Sequence, residues 1–215
     1  MATTRSLIGI FLILALLMGC ATRLPVREEV KVDLTVPVGK IEQNQFTGIR
    51  YPFKVSAPSN WKITTEFPKF MVELGYDKEG LEESEVFIFN PAMQSNIQID
   101  FTPASRYSTF SQEKIETLTT AGAGSFKEEL EQDYGKDIKV EIAPTTPFTL
   151  KGASFAAKKY ATYTFHGVKR EQGWIYAFTE PYQIFILYML LEKEGSNDRQ
   201  DMNKILDSFE VISQK

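Results

Sequence analysis

The feature that most constrains this chain is a run of closely spaced strands in its C-terminal half. Residues 138–142 and 148–150 alternate apolar with polar, 155–165 and 173–178 also read as strands, and residues 182–191 are almost wholly apolar. The breaks between them are short: Gly152-Ala153-Ser154, His166-Gly167 and Glu180-Pro181. A parallel crossover needs about a dozen residues or more, so connections this short require antiparallel pairing. The run at 182–191 has no polar face, which places it centrally with both faces covered.

The same two-residue period appears earlier. Ile49, Tyr51, Phe53 and Val55 alternate as a first strand, Pro58-Ser59-Asn60 turns, and Trp61-Lys62-Ile63 begins a second. Residues 85–89 and 96–101 alternate on either side of Asn90-Pro91 and Ser95-Asn96, which reads as a hairpin. Two helices interrupt the strands. Ile115, Leu118, Gly122, Phe126, Leu130 and Tyr134 form an apolar stripe over residues 111–134, with Ser111 as N-cap and Gly135 as stop. Gly122 and Gly124 inside it each cost about 1 kcal/mol against Ala, so a bend or a close packing contact is expected there. A last helix covers about residues 198–209, with Met202, Ile205, Leu206 and Phe209 on one side. The resulting fold class is α+β: a central antiparallel sheet with helices on both faces, aided by the N-terminal strand-loop region.

The N-terminus has a different character. Arg5 precedes an apolar run from Leu7 to Met18, broken only by Gly9, that ends at Leu17-Met18-Gly19-Cys20. The run is shorter than the roughly 20 residues of a membrane span, and a basic start before an apolar core describes an export signal. Leu17-Met18-Gly19-Cys20 resembles the bacterial lipobox. The resemblance implies cleavage after Gly19 and lipid on the Cys20 sulfur and amine. Two or more acyl chains hold a protein stably on a bilayer. Ala21 stands where Asp would resemble an inner-membrane retention signal, which leans toward an outer membrane facing the periplasm.

Residues 1–19 are thus expected to be a signal peptide, 20–45 a tether and 46–215 one globular domain. Two readings stay open over 30–38, where Val30, Val32, Leu34, Val36 and Val38 alternate: a tether, or an edge strand confined to an edge by Pro37.

Tyr51-Pro52-Phe53-Lys54-Val55 with Pro58 and Trp61, then Ile97-Gln98-Ile99-Asp100-Phe101, the later strands through Trp174 and Tyr182, and Ile205-Leu206-Asp207-Ser208-Phe209 together resemble the PsbP-like fold, an α/β/α sandwich. The resemblance spans 46–215. It implies a largely non-catalytic protein of the assembly or stabilising kind. The metal-associated residues of the photosystem members have no counterparts here.

Composition narrows the chemistry further. One His and one Cys exclude a disulfide scaffold and a dense His/Cys metal site. A net charge of -4 argues against a nucleic-acid binder. His166 reads as an exposed turn residue rather than a base. Asp77, Glu79, Glu82, Glu83 and Glu85 cluster around Gly80 without EF-hand spacing, so a solvated loop is favoured over a cation site. Glu128, Glu129, Glu131 and Asp133 form the wet face of a helix, and Ala121 to Ser125 lacks the Lys of a phosphate loop. Lys158-Lys159 and Lys169-Arg170 could gather into a basic patch or edge a sheet. Tyr160, Tyr163, Phe165, Trp174, Tyr176, Phe178, Tyr182, Phe185 and Tyr188 crowd three neighbouring strands, more than one core layer holds.

The expectation is a non-enzymatic, membrane-anchored binding or assembly module. It needs no catalytic residue, cofactor or metal. Its partners are the membrane, through lipidated Cys20, and an envelope protein, with no nucleic acid. A carrier of a small apolar ligand or lipid is the alternative. A hydrolase would need two carboxylates converging in a cleft.

Overall fold

The computed structural model describes residues 28–73, 85–106 and 108–212. The expected signal segment, Cys20 and the acidic residues Asp77, Glu79, Glu82 and Glu83 lie outside them.

Among the described residues, two sheets form from twelve strands: β1 (Gly39–Glu42), β2 (Gln45–Gly48), β3 (Phe53–Ser56), β4 (Lys62–Thr64), β5 (Val86–Phe89), β6 (Asn96–Pro103), β7 (Val140–Ile142), β8 (Thr146–Pro147), β9 (Phe155–Phe165), β10 (Val168–Thr179), β11 (Tyr182–Glu192) and β12 (Glu210–Val211). The helices are α1 (Lys69–Glu73), α2 (Gln112–Ala121), α3 (Ala123–Tyr134) and α4 (Asp198–Ser208). The larger sheet runs β4-β5-β6-β11-β10-β9-β7, with β8 also on β9. Every pair in it is antiparallel, and the apolar strand β11 lies at its middle, as its composition requires.

Local turn chemistry sets the registers. Phe165 pairs with Val168 around His166-Gly167, both at positive φ, which is the backbone a two-residue hairpin needs. Thr179 pairs with Tyr182 around Glu180-Pro181.

The smaller sheet, β1-β2-β3-β12, packs with α4 on one face of the larger one. Ile97 and Ile99 from β6, Ile175 from β10, and Ile184 and Ile186 from β11 meet Phe46, Phe53, Met202, Ile205 and Phe209 there. Phe53 stacks on Phe101 at 4.6 Å and on Phe209 at 5.5 Å, joining both sheets and the chain just after α4. The other face of the larger sheet carries α2 and α3, with Ile115 packed against Ala157 and Phe178.

Helices lie on both faces as expected, and the N-terminal strand-loop region adds a second sheet. Helices α2 and α3 cover one face, while a second sheet together with α4 covers the other. The sandwich is α+β with one large antiparallel sheet and few helices. The expected single helix is two, broken at Gly122. A β-carbon at Gly122 or Gly124 would meet nothing within 4 Å, so the break is a bend rather than a close contact. Ser111 caps α2 by accepting from Lys114 N at 3.2 Å, and Gly135 ends α3 at φ +94°.

No strand forms over 30–38. Asp33 accepts from Thr35 N and Oγ1, and Val36 N donates to Asp33 O, which turns the chain midway through the alternation. Nor is the whole of 20–45 free lead: β1 begins at Gly39, and half-buried Val30, Val32 and Val38 pack against the main core. Residues 148–150 also stay outside a strand; the pairing falls on β8.

Candidate binding cleft

Strand alternation splits the nine crowded aromatic residues between the two faces. The pairings Gly173↔Tyr188 and Gly173↔Tyr160 put Tyr160 and Tyr188 toward the small sheet, with Tyr182 on the same side. Trp174↔Leu187 and Tyr176↔Phe185 put those four toward the helices. Phe178 stacks on Phe110 at 4.2 Å, and Phe165 meets Tyr134 at 4.2 Å, so both are helix-packing residues.

Trp174, Tyr176, Phe185 and Leu187 are left along a cleft of about 280 Å³ whose other wall is the start of α3: Gly122, Ser125, Phe126 and Glu129, with Gln172 at one end. The cleft follows from the break between α2 and α3. Where the apolar stripe would put a side chain over the sheet, residue 122 has none. The indole N–H of Trp174 donates to Thr119 O at 2.8 Å, which ties the ring to the last turn of α2. Phe126 lies 5.5 Å from Trp174, and Tyr176 lies 4.7 Å from Phe185. Burial pushes the Tyr176 phenol above its ordinary value, and the nearby charge of Asp100 adds to the rise.

The basic residues do not gather. Lys158 and Lys159 point to opposite faces. Lys158 sits 4.9 Å from the Tyr188 ring, where burial lowers its pKa. Lys159 Nζ donates to Ala143 O at 2.9 Å. Lys169 pairs with Glu192 at 2.9 Å, and Arg170 lies 5.0 Å over the Phe165 ring. His166 is exposed at the β9–β10 turn, beside Phe165.

Glu85 is buried rather than solvated, with Arg50 Nη1 at 3.6 Å from its Oε2. Glu128, Glu129 and Asp133 are exposed along α3, as the wet-face reading expects. Among the lining residues Glu129 is the one carboxylate, so the cleft does not bring together the pair a glycoside-type hydrolysis needs. Gln172 and Leu187 were not singled out by the sequence. The costly pair Gly122 and Gly124 was the available signal, since it marks the rim.

These features define an α+β protein with an aromatic cleft between its helical layer and its main sheet. No family model and no curated protein matches the chain. Several solved structures are similar to it, three of which follow. Cyanobacterial PsbP from Synechocystis is 12 % identical over 82 % of this chain and 99 % of its own, with a TM-score of 0.49. LpqN of Mycobacterium tuberculosis, described as involved in cell envelope biogenesis, is 10 % identical over 75 % and 83 %, with a TM-score of 0.48. A Bacteroides thetaiotaomicron protein is 12 % identical over 80 % of this chain and 49 % of its own, with a TM-score of 0.47.

Proposed function

We propose that this chain is a lipoprotein of the cell envelope, moored through acylated Cys20 to an outer membrane and facing the periplasm. In this reading it acts there as a non-catalytic binding module, docking a partner protein at the Trp174–Phe185 cleft. Leu17-Met18-Gly19-Cys20 supports the anchor. The observation that carries the binding role is the cleft itself: aromatic, held in shape by the Trp174–Thr119 bond, and open to solvent. Its volume of about 280 Å³ lies just under the roughly 300–1,000 Å³ of sites that enclose small ligands. That suits a partner side chain better than an acyl chain, and so favours docking over lipid carriage.

Two measurements test the reading. Cells fed radiolabelled palmitate should label the wild type and not Cys20→Ala, and the variant should leave the membrane fraction. A photo-crosslinker at exposed position 129 should trap one defined envelope protein, while one at exposed Lys151 should not. Co-purifying lipid in native mass spectrometry, with no adduct from position 129, would replace docking by the carrier role.

A further inference from the structure

We infer that the cleft is shaped for an arginine side chain presented by the partner. This rests on the docking role proposed above and specifies its chemistry. Four aromatic residues, Phe126, Trp174, Tyr176 and Phe185, line it, and ring faces carry the negative part of the quadrupole. Glu129 stands with Phe126 on the α3 wall, across from the three aromatic residues of the sheet. The surrounding charge has the same sign. Helix α3 carries Glu128, Glu129, Glu131 and Asp133 against a single Lys127, which lies 3.6 Å from Glu131. Cations of the same layer are engaged elsewhere: Lys159 at Ala143 O, Arg170 over Phe165, and Lys114 over Phe110 at 5.0 Å.

A negative field around aromatic walls selects a cation that also tolerates apolar surroundings. A guanidinium meets both demands better than an ammonium. It is planar, weakly hydrated, stacks on rings and can present a fork to a carboxylate. A neutral apolar ligand would gain nothing from Glu129, and an anionic headgroup would be repelled. The indole N–H is already engaged with Thr119 O, so Trp174 offers the occupant its ring rather than a donor.

The test uses the full chain in neutral detergent micelles and three probes: acetyl-Ala-Arg-Ala-amide and the same peptide with citrulline or norleucine in place of arginine. Trp174 supplies the fluorescence readout, since it lines the cleft, whereas the other tryptophan, Trp61, lies in the main core on the opposite face of the large sheet. The arginine peptide should bind about fivefold or more tightly than the citrulline peptide, and should weaken with added salt. Glu129→Gln, at an exposed position, should weaken arginine binding about twofold to fivefold and leave citrulline binding unchanged. Equal binding of the three peptides, or a preference for norleucine, would overturn the arginine assignment and leave the docking role intact. Absence of binding by all three would also overturn it. The docking role itself fails separately, through loss of the position-129 adduct in cells.

Discussion

Gly173 and Tyr188 face each other across β10 and β11, and the Tyr188 ring fills the space above the glycine. A β-carbon built on Gly173 would stand 2.3 Å from Tyr188 Cζ and Oη. Because the ring lies down there, its hydroxyl donates to Glu171 Oε1 at 2.9 Å. The other Glu171 oxygen takes Arg199 from α4 at 2.8 Å. A glycine inside a strand thus lets a buried tyrosine link the large sheet to the helix that packs on it.

Gly173→Ala should therefore lower stability by about 1–3 kcal/mol, the usual cost of overpacking a core. Urea unfolding should show an earlier midpoint at unchanged slope. The same substitution in a Tyr188→Leu background, whose side chain stops short of the ring tip, should cost markedly less than in the wild type. Equal costs in the two backgrounds would mean that the glycine serves some other end than seating the ring.

Much of this arrangement was legible because its causes are local. The His166-Gly167 turn, the apolar strand β11, the Ser111 cap and the glycine break after Ala121 all follow from neighbouring residues. The closing helix on the second face was legible, but the separate small sheet beside it was not. The small sheet joins Lys54 to Glu210, and a two-residue strand such as β12 has no period of its own. The alternation over 30–38 left two readings open because side-chain period alone does not exclude a turn, and the Asp33–Thr35 bonds make one. Adjacent Lys158 and Lys159 looked like a patch although a strand sends neighbours to opposite faces. The cleft was hidden for a related reason: all nine aromatic residues were visible, but where α3 lies across them is a tertiary fact.

Asn44 allows turn geometry to be separated from hydrogen bonding. It sits at φ +58° in the two-residue β1–β2 turn, and its amide Nδ2 donates toward Ala57 O, Pro58 O and Trp61 O at 2.9, 2.8 and 3.1 Å. Asn44→Gly keeps the left-handed backbone and removes the bonds, so it should cost about 1–2 kcal/mol. Asn44→Ala loses both and should cost more. If the glycine variant unfolds at the wild-type midpoint, the amide is not what pins the β3–β4 turn.

Glu85 predicts a pH dependence with a definite sign. Burial pushes its carboxyl up to about 7 from an ordinary 4.5; the Arg50 guanidinium opposes the shift and Asp100 adds to it. Between those values the native state keeps a proton that the unfolded chain has lost. The stabilising contribution is therefore full below about pH 4.5 and disappears as pH rises through about 7. Unfolding free energy should fall by roughly 1–2 kcal/mol from pH 5 to 8 on this account, a figure kept below the full linkage value for solvent screening and the opposing Arg50. The difference between wild type and Glu85→Gln isolates this group from other titrations. A difference that stays flat, or rises with pH, would contradict the burial argument.

Arg50 holds the same carboxylate from one side and the N-terminal lead from the other. Its Nη2 donates to Leu34 O at 3.1 Å and Val36 O at 2.9 Å, its Nε reaches Val36 O at 3.2 Å, and Nη1 faces Glu85. A lysine has one nitrogen and cannot fork between two carbonyls and a carboxylate. Arg50→Lys should therefore loosen the lead selectively. Amide exchange should rise for Val36, whose N–H closes the Asp33 turn, and trypsin should cut faster at exposed Lys31. Amides of α4, packed in the main core, should keep their protection relative to global stability. Uniform loss of protection, or unchanged cleavage at Lys31, would show that Val30, Val32 and Val38 hold the lead by packing alone. Confirmation would make Arg50 the residue that fastens residues 34–36 to the folded body.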